Sequence, residues 1–154
     1  MDILAQLSDL AANRELWAAF AGWIVAQFIK IMLTLRKERS INLGHLVASG
    51  GMPSSHSALV TSLATAIARV HGLNSSVFAL AAVFAGVVMY DAAGVRLAVS
   101  RQARILNMML DDLFHERAVQ RGVREERLRE LIGHTPIQVF AGAAIGLIVG
   151  ILLT

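Results

Sequence analysis

The chain contains no cysteine, which excludes disulfides and thiolate-held metals. Charge is scarce too: 16% of the residues are charged against 56% hydrophobic, and the mean hydropathy is +0.61. Soluble domains carry about a quarter charged residues, so this composition reads as an integral membrane protein in a lipid bilayer. Aromatics make up 6% of the chain, with a single tyrosine, and none interleaves with the basic residues. Despite a pI near 10.2, nucleic acid is therefore not the expected partner. Residues 1–13 hold Asp2 and Asp9 and no positive stretch, so no cleavable signal peptide is expected. Only two prolines occur, Pro53 and Pro136, and each suits the first turn of a helix, where the missing N–H costs nothing.

What is abundant is long apolar sequence. Residues 16–35, 57–70, 75–99 and 136–153 approach the ~20 residues a spanning helix needs, so the predicted fold is an all-α integral membrane bundle with about four transmembrane helices. The run 57–70 is short and calls for tilt or shelter by its neighbours. Residues 1–13, with Ile3, Leu7 and Leu10 at helical spacing, read as an amphipathic lead-in helix at the interface. Gly142, Gly146 and Gly150 recur every fourth residue and predict a close-packing seam. The whole of 1–154 reads as one membrane-embedded domain.

Basic residues cluster beside the spans. Arg36, Lys37 and Arg39 follow the first, and Arg101, Arg104, Arg117, Arg121, Arg124, Arg127 and Arg129 lie between the third and fourth. Positive loops face the cytoplasm, and four spans put both segments there with both termini opposite. Residues 101–131 read as one or two amphipathic helices broken near Gly122, resting on the membrane or on a second copy in a homodimer. Asp111 and His115, four apart, could share a divalent ion, but a solvated polar face explains them better. His45 and His71 read as solvated loop residues.

Chemistry concentrates at two helix starts. Gly50 to Ser57 reads Gly-Gly-Met-Pro-Ser-Ser-His-Ser, which sets small residues, open amides near Ser54 and Ser55, and His56 at the mouth of an apolar helix. Gly133-His134-Thr135-Pro136 repeats the theme. Two histidines suit phosphoryl transfer, one attacking as neutral imidazole and the other donating a proton to the leaving oxygen. Lys30, Asp91 and Arg96 fall within apolar spans, where an ionisable side chain is a functional candidate by default. Lys30 shares a stripe with Gln27 and Thr34, while Asp91 and Arg96, about 140° apart on a straight helix, are expected to serve different partners.

At these residues the chain resembles the type 2 phosphatidic acid phosphatase superfamily, which includes the vanadium haloperoxidases, and in particular its divergent, short membrane branch. Pro53-Ser54-Ser55-His56 is similar to that family's Pro-Ser-Gly-His motif, and His134 followed by Gly142 and Gly146 looks like the end of its last motif. The resemblance implies a metal-independent phosphomonoesterase without cofactor, acting on a lipid phosphate. By it, His134 is the nucleophile, His56 is the general acid, and Ser54, Ser55 and Lys30 bind phosphate. Two positions depart from the pattern: Gln138 stands where the family has the Asp that orients the nucleophile, and Leu128 where it has an Arg. The segment from Tyr90 to Arg96 resembles a signature of the divergent branch, so Asp91 and Arg96 are expected to replace the missing pair from another helix. The competing expectation is a non-catalytic relative that binds a phosphorylated lipid or assists assembly.

Overall fold

The structure is a computed structural model that describes residues 3–38, 51–121, 128 and 133–154, without the side chains of residues 4, 37–38 and 111–121. The described residues form six helices: α1 (Ile3–Ala11), α2 (Arg14–Glu38), α3 (Ser55–His71), α4 (Ser76–Ala93), α5 (Val95–Arg121) and α6 (Pro136–Leu153). The chain is thus an all-α membrane bundle. Three stretches are long and apolar enough to cross a bilayer, namely Arg14–Arg36, the combined run Ser76–Leu110, and Pro136–Leu153. The expected fourth, α3, has 17 residues and packs against α6, α2 and α4, which shelter it.

Helix ends follow local chemistry. Asn13 caps α2 by accepting the Leu16 N–H at 2.9 Å, and the Trp17 indole N–H closes α1 by donating to the Ala11 carbonyl at 2.9 Å. Ser75 caps α4, accepting the Phe78 N–H at 3.2 Å. The expected 75–99 helix is two helices, because Gly94 leaves helical geometry and makes an elbow between α4 and α5. α5 runs to Arg121, so the start of the connecting segment is helical; Gly122, Arg124, Arg127 and Arg129 lie outside the described residues, as do Arg39, His45 and Gly50.

The packing is that of a protein whose solvent is lipid. Small side chains fill the interior, with Ala18, Ala26, Ala58 and Ala66 fully buried, while Leu80, Phe84, Phe140 and Leu152 point outward. Lipid is as apolar as leucine, so helices gain by close backbone approach rather than by hiding large residues. The glycine row of α6 achieves this. A methyl on Gly142 would meet the Ser54 carbonyl, on Gly146 the Ala58 carbonyl, and on Gly150 the side chain of Thr65 at 2.7 Å. Gly22 of α2 meets the same stretch of α3 from the other side, where the Ser62 hydroxyl donates to the Ala18 carbonyl at 2.7 Å.

These contacts orient the bundle. The Ser54 N–H donates to the Gln138 carbonyl at 3.0 Å, which brings the starts of α3 and α6 together. At the opposite end, His71 closes α3 and its Nε2 lies 3.0 Å from Glu15 at the start of α2. His71 is therefore not a solvated loop residue but one partner of an inter-helix pair. The ends of α2 and α4 and the starts of α3 and α6 share one face of the bundle, and Arg36 and Arg101 leave from that face.

Candidate functional site

The two histidine motifs meet at that face. His56 lies in the first turn of α3, and His134 lies two residues before α6. They line one pocket with Val88, Asp91, Ala92 and Arg96, which encloses about 240 Å³ including its open mouth. Of the residues singled out from the sequence, His56, His134, Asp91 and Arg96 share this lining. Lys30 of α2 is buried beside it, within electrostatic reach of both imidazoles, and its stem packs on Gly51, whose φ of +104° favours glycine.

His134 is fixed from three sides. Its backbone N–H donates to the Ala92 carbonyl at 3.0 Å, and the neighbouring Gly133 N–H donates to the Ser100 hydroxyl at 3.1 Å. Gly133 itself sits against the backbone of Arg96 and Leu97, leaving no room for a side chain. The elbow at Gly94 is thus the cradle for the histidine loop. Ser100 was not singled out from the sequence, where a lone serine in an apolar run carries no signal.

The ring of His134 is 2% exposed, and its Nδ1 lies 3.3 Å from Gln138 Oε1. The same oxygen accepts the Thr135 N–H at 3.0 Å, so it is an acceptor and Nδ1 carries the hydrogen. That leaves Nε2 with the lone pair, and Nε2 is buried without a hydrogen-bond partner among the described residues. Burial holds the His134 pKa below the ordinary imidazole range; the Gln138 bond and the Gly51 backbone oppose this, and the Lys30 and His56 charges reinforce it.

Asp91 and Arg96 are not on separate faces. The elbow turns them together, and Arg96 Nε donates to Asp91 Oδ2 at 2.5 Å. Asp91 also lies within electrostatic reach of His56, as does Arg96. It does not hold His134 Nδ1, a place Gln138 takes.

Ser54 and Ser55 stand apart from the pocket lining. Ser54 is the N-cap of α3, fully buried, and its Oγ accepts from the Ser57 N–H at 3.4 Å and the Ser57 hydroxyl at 3.0 Å. Pro53 precedes this cap instead of opening the helix, and the Met52–Pro53 peptide is cis. The Ser54 amide is spent on α6, so among the described residues the open amides of the first turn are those of Ser55 and His56. Asp111 and His115 have side chains outside the described residues.

A helical membrane bundle that gathers two histidines, an arginine, an aspartate and a lysine at one end is the class of protein that the sequence resemblance implied. The divergent PAP2 family model matches residues 11–149, and the chain belongs to that family. It is also similar to the uncharacterized membrane protein YuiD of Bacillus subtilis (strain 168), 38% identical over an alignment covering 94% of this chain and 96% of that protein. No solved structure matches the chain.

Proposed function

We propose that this protein is a membrane-embedded phosphomonoesterase that acts on a lipid phosphate through a phosphohistidine at His134. The observation that carries the reading is the buried, unpartnered Nε2 of His134 in a pocket shared with His56 and Arg96. Nε2 holds the nucleophilic lone pair because Nδ1–H is committed to Gln138.

The Nε2 lone pair attacks phosphorus, and the phosphorus–oxygen bond to the lipid breaks. The departing oxygen takes a proton from the His56 imidazolium and leaves as the lipid alcohol. Neutral His56 then takes a proton from water, the hydroxide attacks the phosphohistidine, and the phosphorus–nitrogen bond electrons return to Nε2. Arg96 and Lys30 neutralise the phosphate oxygens. A lipid substrate is supported by the pocket's place at the ends of apolar helices, with Val88 and Ala92 in its wall. A cytoplasmic orientation of the pocket is supported by the positive-inside rule, since the basic residues Arg36 and Arg101 lie near the end of α2 and the start of α5.

The test is phosphate release by purified protein in detergent, with and without chelator, from a panel of lipid phosphates. Chelator-resistant release that disappears in His134→Ala and His56→Ala supports the reading, as does an acid-labile phosphoryl group trapped on His134. A second reading, a non-catalytic phospholipid-binding member, is favoured by Gln138, which orients the ring without supplying charge to stabilise an imidazolium. Folded protein that binds lipid phosphate but releases none establishes that alternative.

A further inference from the structure

One face of α5 carries Ser100, Ala103 and Asn107 at spacings of three and four, and all three side chains are buried. Asn107 is 5% exposed although its chain neighbours Leu106 and Met108 are half exposed, so it is turned inward. An amide buried there is costly unless paired. It grips main chain: the Leu128 N–H donates to Asn107 Oδ1 at 3.1 Å, and Asn107 Nδ2 donates to the Leu128 carbonyl at 3.0 Å. Both bonds go to one residue, in the two-bond pattern by which paired strand residues hold each other. The Leu128 side chain is 45% exposed and takes no part in the grip.

Three contacts then follow in reverse order along α5 and the elbow. Leu128 is held at Asn107, the Gly133 N–H at the Ser100 hydroxyl, and the His134 N–H at the Ala92 carbonyl. From Asn107 to Ser100 the helix rises about 10.5 Å, and the five steps from Leu128 to Gly133 reach at most ~18 Å, so the slack between the two pins is small. We propose that Asn107 is a positioning residue for His134: by gripping the Leu128 backbone it fixes the start of the short stretch that carries the imidazole into the pocket. The inference rests on His134 being the reactive group of the proposed site, but not on hydrolysis there. It also gives a role to position 128, where the phosphatase pattern has an arginine. Here the residue serves through its backbone, and its side chain is immaterial to the clamp. A side-chain amide suits the task because it offers a donor and an acceptor side by side, whereas an aspartate would bring acceptors only and a buried charge.

The experiment is residue-resolved amide hydrogen exchange on the full chain in detergent, with the His134 ring resonances and phosphate release as further readouts. In the unaltered protein the Leu128, Gly133 and His134 amides are expected to be protected together; an unprotected Leu128 amide would overturn the proposal before any variant is made. Asn107→Leu removes the grip at similar volume and is expected to speed exchange at Gly133 and His134 about fivefold, the factor set by one net hydrogen bond. Val149, buried in α6, should stay protected, and the His134 ring resonances should move. Turnover is expected to fall about tenfold with little change in KM. Leu128→Ala should leave every readout unchanged. Faster exchange confined to Leu128, faster exchange spread evenly over the bundle, unmoved His134 resonances, unchanged turnover in an active protein, or an equal loss in Leu128→Ala would each overturn the proposal. Asn107→Ser, too short to reach both backbone groups, replaces Asn107→Leu if the latter does not fold. Should the unaltered protein release no phosphate, the phosphatase reading falls by itself, and exchange together with the ring resonances still decides this inference.

Discussion

His134 Nδ1 lies 3.3 Å from Gln138 Oε1, one helical turn further along the chain, and that same oxygen also accepts the Thr135 N–H. One amide thus closes the first turn of α6 and fixes the tautomer of the candidate nucleophile. The arrangement is half of a capping box, with glutamine at the third helical position. Gln138→Ala removes both contacts and is expected to cost about 1 kcal/mol of stability and to lower phosphate release more than stability alone explains. Gln138→Glu keeps the acceptor and adds the missing charge, so its His134 pKa should rise, seen as an upward shift of the acid limb in a pH–rate profile. Unchanged limbs would reduce Gln138 to a helix cap.

The depressed pKa of His134 has a defined pH signature. In the proposed mechanism its neutral form is the nucleophile, so the acid limb assigned to it should lie below the ~6.5 of free imidazole. For stability the sign is the same: the unfolded chain binds the proton more readily than the folded one, so this contribution is complete above about pH 6.5 and declines as the pH falls through that value toward the folded pKa. Histidine-selective NMR titration in detergent checks both, and a His134 midpoint above 6.5 would contradict the buried, cation-facing environment.

The glycine seam predicts a contrast between two similar substitutions. Gly146→Val forces a side chain into the Ala58 carbonyl and should cost roughly 1–3 kcal/mol or prevent folding. Gly86→Ala, on the outward face of α4 with open space around it, should be neutral or slightly stabilising because alanine is the better helix former. Thermal unfolding in one detergent distinguishes them.

Ser100 offers a test of the cradle. Ser100→Ala leaves the Gly133 N–H without its acceptor, for a loss of roughly 1 kcal/mol. Since that bond sets where His134 begins, turnover should fall with little change in KM, and Ser100→Thr should restore it. Equal stability loss without any effect on turnover would make the bond purely structural.

The pair of His71 and Glu15 serves as the control at the far end. Both side chains are partly exposed, and His71→Gln should change stability by less than about 1 kcal/mol and leave phosphate release untouched. A large loss of release would mean that the two ends of the bundle are coupled.

Composition and apolar run length made the membrane class legible, and the fourfold glycine spacing announced its seam, because those signals are local and repeat along a helix. The two histidine motifs were legible because each sits beside a proline and an apolar run. The partnership of Asp91 and Arg96 was not: spacing on an ideal helix separates them, and a single glycine inside an apolar stretch does not say whether the helix continues or turns. Ser54 was legible as a helix-start residue, but whether a serine caps a helix or faces a ligand depends on which end of the bundle covers it. The Thr135 to Gln138 spacing did carry a capping-box pattern, which accounts for a glutamine where charge was expected.

The amide bond from Ser54 to the Gln138 carbonyl, together with the glycine seam just beneath it, makes the starts of α3 and α6 a single rigid plate bearing both histidines. The opposite wall of the pocket, with Asp91, Ala92 and Arg96, belongs to the elbow between α4 and α5. The spacing of the two imidazoles is consequently a fixed gauge, set by main-chain contact and indifferent to the lengths of the loops between them. The His134 and Gly133 amides bolt the elbow to that plate, so a change at the elbow should shift the far wall and the His134 ring together.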